Sequence, residues 1–95
     1  MKQDKVTEDK LKHYFELTKT AFEMAMASRE KIDLKDAREQ FLDMSQRYIQ
    51  DANHFYEHGD YLNAFAALNY AHGWLDAGAR LGIFDVHDSR YFAND

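Results

Sequence analysis

The sequence predicts an all-α protein, an antiparallel up-down-up three-helix bundle forming one domain. Three observations predict it. The chain has no proline and only 4 glycines in 95 residues, which favours long helices joined by a few tight turns. Apolar residues recur at spacings of three and four through three separate stretches, the periodicity of a helix face turned to a core. Only His58, Gly59 and Asp60 separate the second stretch from the third, so these two helices must fold back on each other as a hairpin.

Residues 1–6 are polar and read as a frayed N-terminus, with the domain spanning residues 7–84 and a tail over residues 85–95. Thr7 is the expected N-cap of the first helix, with Glu8 and Asp9 in the first turn, where negative charge meets the positive end of the helix dipole. Leu11, Tyr14, Phe15, Leu17, Ala21, Phe22, Met24, Ala25 and Met26 share one broad face. That face is wide enough to touch two neighbouring helices. Asp33 is the expected N-cap of the second helix, with Asp36 three positions on in an acidic variant of the capping box. Its apolar face runs from Leu34 to Tyr56, interrupted by Arg38 and Ser45. The arginine is expected to send its charged head to water along an apolar stem.

The third helix is expected from about Tyr61 to Leu81, capped by Asp60 at one end and closed at the other by Gly82 in the left-handed conformation. Its circumference sorts into strips. Ala64, Ala67, Ala71 and Gly78 are small, so a neighbouring backbone can come close. Tyr61, Leu68 and Leu75 flank them on one side, and Tyr70, Trp74 and Leu81 on the other. A helix so widely apolar needs more than one neighbour. It should be an inner strut sheathed by the two helices before it, and Tyr70, Trp74 and Leu81 form the candidate interface if any strip stays uncovered. After Phe84 the tail is mostly polar, with Tyr91 and Phe92 able to dock back.

The run from residue 59 to 84, GDYLNAFAALNYAHGWLDAGARLGIF, resembles the C-terminal signature of an archaeal family known as domain of unknown function 357. The resemblance implies a compact helical bundle in an archaeal, cytoplasmic setting, and it brings no assigned activity. The last eleven residues lie beyond the family's usual end. The pattern at Gly59, Tyr61 and Ala64 is also similar to the entry of a tetratricopeptide-type helix. A single hairpin cannot make a solenoid, which needs about three repeats.

Composition narrows the function classes. A formal charge of −5 argues against a protein that grips nucleic-acid backbone, since that affinity comes from basic side chains neutralising phosphates. Without cysteine there is no disulfide framework, no thiolate metal site and no cysteine nucleophile. No apolar run approaches the ~20 residues that cross a bilayer, and no signal-peptide pattern opens the chain. The expectation is a cytoplasmic protein that does not enter membranes.

One narrow polar strip on the third helix, Asn69, His72, Asp76 and Arg80, is the best candidate site. Its three- and four-residue spacings set Asp76 to bridge His72 and Arg80, an arrangement that can orient an imidazole or simply hydrate a helix edge. Asp51, His54 and His58 have a spacing that could hold a metal, but they sit on a polar face without the glutamate a metalloprotease helix carries. No metal and no cofactor is assigned. The interval from Arg80 to His87 resembles the arginine-spacer-histidine motif of HEPN-type ribonucleases, with Leu81 where that motif has a polar residue. No catalytic residue is assigned. The expected role is contact, as an adaptor or scaffold with an unidentified protein partner or by self-association, and the alternative is a ribonuclease-like or nucleotide-handling bundle.

Overall fold

A computed structural model of the chain describes residues 6–29 and 36–93. It contains α1 (Glu8–Ala27), α2 (Ala37–Glu57) and α3 (Tyr61–Leu81). Among the described residues there is no strand. The hydrophobic core has two clusters. One joins Leu11 and Phe15 of α1 to Ala52 of α2 and Ala64, Ala67 and Leu68 of α3. The other joins Ala21 and Ala25 to Leu75, Ala79, Ile83, Phe84, Val86 and Phe92, with Phe41 and Leu42 of α2 packed against it. The starts of α1 and α3 thus share a cluster with the end of α2, and their ends share one with its start, as an up-down-up order requires.

Local chemistry explains where each helix begins and ends. Thr7 caps α1 by accepting from the Lys10 amide at 3.1 Å. Asp60 caps α3, accepting from the Asn63 amide at 3.2 Å and from its side-chain Nδ2 at 2.7 Å. Both α2 and α3 end in the same left-handed motif. Gly59 has φ of 76°, and Asp60 donates its amide to Phe55 O at 2.9 Å while Gly59 donates to Tyr56 O at 3.0 Å. Gly82 has φ of 82°, with Ile83 donating to Gly78 O at 2.8 Å and Gly82 to Ala79 O at 3.2 Å.

Two expectations for α2 are corrected. Asp33, the expected cap, lies outside the described residues. The helix begins at Ala37, and its cap is Asp36 in the left-handed region at φ 64°, with no side-chain hydrogen bond. Aspartate tolerates this conformation better than most residues. Arg38 does not extend to water. Its Nη2 donates to Ala25 O at 3.0 Å and Met26 O at 2.9 Å, its Nη1 reaches Ser28 Oγ at 3.4 Å, and its guanidinium lies over the Phe84 ring. The last turn of α1 has no basic residue of its own. Arg38 supplies one from the first turn of α2, adding to the Ser28 amide and hydroxyl already on Ala25 O and pairing Met26 O at the negative end of the helix. Ser45, fully buried, donates to Phe41 O at 2.8 Å, so its hydroxyl costs the core little.

The α3 strut is sheathed on one side only. Leu68 and Leu75 are 1% and 0% exposed. Trp74 is half-buried, its ring meeting Phe41 edge-on at 5.1 Å. Gly78 is required: a Cβ there would run into the Phe84 ring and lie 3.3 Å from Phe41. Gly73 is different. Among the described residues nothing lies within 4 Å of the position its Cβ would take, although a mid-helix glycine costs about 1 kcal/mol relative to alanine.

Candidate functional site

The tail makes the site. Ile83, Phe84, Val86 and Phe92 are all buried, so four side chains beyond Gly82 belong to the core. Asp85 donates its amide to Arg29 O at 3.1 Å, tying the start of this segment to the end of α1. Further on, Asp88 organises a tight turn. It accepts from the Arg90 amide at 3.1 Å and from the Arg90 guanidinium at 3.0 and 2.8 Å, and its carbonyl takes the amides of Tyr91 and Phe92 at 3.0 Å each. The Arg90 hydrogen bonds hold the Asp88 carboxyl below the usual carboxylate range and push Arg90 up.

Between this turn, α1 and α3 lies a cleft of about 360 Å³. Asn69, His72, Gly73 and Asp76 line it from α3, Tyr14 and Thr18 from α1, and Ser89, Arg90 and Tyr91 from the tail. Three members of the expected polar strip therefore converge on one hollow. Arg80 does not join them. Its expected bridge to Asp76 is absent, and Arg80 makes no ion pair among the described residues. Asp76 instead accepts from the Ala93 amide at 3.1 Å and sits 3.5 Å from His72 Nε2. Sequence periodicity found the α3 wall, and the expected docking of Tyr91 and Phe92 brings the tail to the cleft, but no pattern pointed to Ser89 and Arg90.

Activating a hydroxyl needs a base within hydrogen-bond reach of it. No hydroxyl bonds to His72 among the described residues, and the Asp76 oxygen nearest the imidazole is already shared with a backbone amide. His87 lies on another surface. Its Nε2 is 2.8 Å from Asp85 Oδ1, and it lines a shallow hollow with Met24, Ala27 and Ser28 that Arg80 does not reach. The HEPN-like interval thus does not bring Arg80 and His87 to one cavity. The His54 and His58 rings are 4.4 Å apart. The Nδ1 of His58 is 2.8 Å from the His54 carbonyl, which can only accept, so that nitrogen carries the proton. No group of three or more histidine or acidic side chains gathers to hold a metal among the described residues.

The candidate interface lies on the other flank of α3. Tyr70 is 63% exposed and stacks on Tyr48 of α2 at 5.2 Å. Leu81 is 54% exposed, and Trp74 lies between them in a second hollow with Phe41, Gly73 and Ala77. Leu62, 66% exposed, extends the same outward flank toward the start of α3 and was not anticipated. The spacing of Leu62, Ala66, Tyr70, Gly73, Ala77 and Leu81 keeps them within about a third of the helix circumference. That spacing is the signal that could have found it.

Fold and site together define a small all-α bundle with an open polar cleft and an exposed apolar flank on its central helix. The chain belongs to the family described as protein of unknown function (DUF357), which matches residues 13–84. The match stops before the turn at Asp88. No curated protein and no solved structure matches the chain. Among the described residues, no helix is long and apolar enough to cross a membrane.

Proposed function

We propose that this protein works by contact, as a small interaction module that presents the outward flank of α3 to another protein surface. One observation carries this reading: Leu62, Tyr70 and Leu81 are each more than half exposed along one side of a single helix. Soluble domains rarely keep such aligned apolar surface without a partner, whereas single exposed leucines are ordinary. Tyrosine and tryptophan at the centre of the flank are residue types that dominate binding energy at interfaces. A photoreactive phenylalanine at Tyr70, compared with the same group at Glu16 on the polar face of α1, tests it in cells. A discrete cross-linked product from position 70 but not from position 16 is expected. Equal labelling from both positions, or none from either, would end the proposal.

A second reading is favoured by the convergence of Asn69, His72 and Asp76 on the cleft. At about 360 Å³ it lies at the small end of ligand sites and suits a small polar molecule, such as a nucleoside, stacked against Tyr14 or Tyr91. Calorimetric titration with nucleosides and nucleoside monophosphates checks it. Heat that disappears in His72→Ala supports a ligand site, and silence across the set removes it. RNA left intact after prolonged incubation would dispose of the ribonuclease alternative.

A further inference from the structure

We infer that the occupant of the α3 flank is a second copy of the same chain, docked as an antiparallel α3 pair about a two-fold axis. The inference rests on the contact reading and goes further by naming the partner and the register. A symmetric interface must be self-complementary, each residue facing the position that its own image requires. Six of the outward residues of α3 meet this condition about an axis midway between Ala71 and His72. Leu62 then lies level with the partner's Leu81, Ala66 with the partner's Ala77, and Tyr70 with the partner's Gly73. Large meets large at both ends, small meets small between, and the one exposed aromatic meets the one position without a side chain.

Gly59 and Gly82 have positive φ and Gly78 has no room for a Cβ, whereas Gly73 is helical, exposed and unobstructed. No contact among the described residues requires it. Close approach by a second chain would use it, and the two-fold places the partner's Tyr70 ring there. Small residues at such a crossing let two helix backbones come near each other, with Ala66 and Ala77, both exposed, on either side.

Charge selects the antiparallel order. Arg80 is exposed and without an ion pair among the described residues, and Asp60 stands at the other end of α3. An antiparallel pair sets Arg80 beside the end of the partner that carries Asp60, and opposes the two helix dipoles favourably. A parallel pair would set Arg80 beside its own image. The area predicts the strength. From Leu62 to Leu81 the helix runs about 28 Å, and a strip about 10 Å wide offers about 300 Å² per subunit from α3 alone. This is well under the ~800 Å² per partner of a standard stable interface. The pair should therefore be reversible, with dissociation at micromolar concentration or above.

The absence of native cysteine allows a clean test. Leu62→Cys and Leu81→Cys chains are mixed and mildly oxidised, alongside each variant alone, and wild type and Gly73→Arg are compared by sedimentation from 1 µM to 1 mM, on the order of the range a weak interface requires. The register predicts a disulfide dimer in the mixture and none in either variant alone, because identical positions lie about 28 Å apart in an antiparallel pair. A Cβ at position 73 meets nothing within 4 Å among the described residues, so Gly73→Arg should stay folded by circular dichroism while its association weakens at least tenfold. Cross-linking of Leu62→Cys by itself would mean parallel pairing and overturn the inference. So would a chain that stays monomeric throughout with no cross-link in the mixture. In that last case a Tyr70 photoproduct containing a different protein would leave the contact reading standing, and loss of both signals would remove both.

Discussion

Phe92→Ala tests whether the segment past the family match is structural. Phe92 is 2% exposed and packs in the cluster with Phe84, Val86, Ile83 and Leu75. A buried phenylalanine removes about 200 Å² from water, which at ~25 cal/mol per Å² is about 5 kcal/mol, and phenylalanine-to-alanine changes in cores cost about 3–5 kcal/mol. The position near a chain end sets a ceiling: once the cost exceeds the free energy of docking the tail, residues 85–93 peel away and the loss stops growing. About 3 kcal/mol is therefore expected. For a chain of this size that lowers the melting temperature by roughly 12–24 °C, since each kcal/mol shifts it by about 4–8 °C. Thermal unfolding by circular dichroism measures this, and hydrogen exchange at the Ala93 amide, now bonded to Asp76, reports undocking separately. A shift under about 4 °C, or about 1 kcal/mol, would refute the reasoning, because it would mean the tail contributes little to the core.

Three further outcomes follow from particular contacts. Gly78→Ala should destabilise by about 1–3 kcal/mol, because its methyl runs into the Phe84 ring; denaturant unfolding that shows a gain instead would contradict the packing described. Arg38→Ala removes the donors to Ala25 O and Met26 O and should cost about 1–3 kcal/mol by the same measurement, with faster amide exchange concentrated in the last turn of α1. The Asp88 carboxyl, held down by Arg90, has a folded pKa below its unfolded value. Its contribution to the turn is thus present above the ordinary carboxylate range and is lost as pH falls through the folded value. A carbon-detected NMR titration should place its midpoint below the ordinary carboxylate range, and Arg90→Ala should restore the ordinary value.

Features set by local chemistry were legible in the sequence, and those set by distant segments were not. The limits of α3 could be read because Asp60 and Gly82 carry their own signals, a side-chain acceptor before a helix and a residue free to turn left-handed after it. The start of α2 could not, because a left-handed aspartate without a capping hydrogen bond follows no cap preference, and Asp33 looked the better candidate. Arg38 was misread for a different reason. Helix periodicity gives the direction in which a side chain leaves its own axis and says nothing about the end of another helix waiting there. The α3 wall of the cleft emerged from the spacing of Asn69, His72 and Asp76. Its tail wall depends on Phe92 finding a core thirteen or more positions away along α3, and no period links Ile83, Phe84, Val86 and Phe92. The flank of α3 was half seen: Tyr70 and Leu81 stood out by size, while Leu62 needed the outward line to be traced to its beginning.

In the single chain α3 is covered on one flank, at Leu68 and Leu75, and open on the other, at Leu62 and Leu81. Solvent paramagnetic relaxation, measured by NMR on methyl groups at a concentration low enough to keep the chain monomeric, tests this most directly. A soluble relaxation agent should broaden the methyls of Leu62 and Leu81 strongly and leave those of Leu68 and Leu75 sharp. Equal broadening at all four would show that α3 is not sheathed. Equal protection would show that its flank is already covered within the single chain.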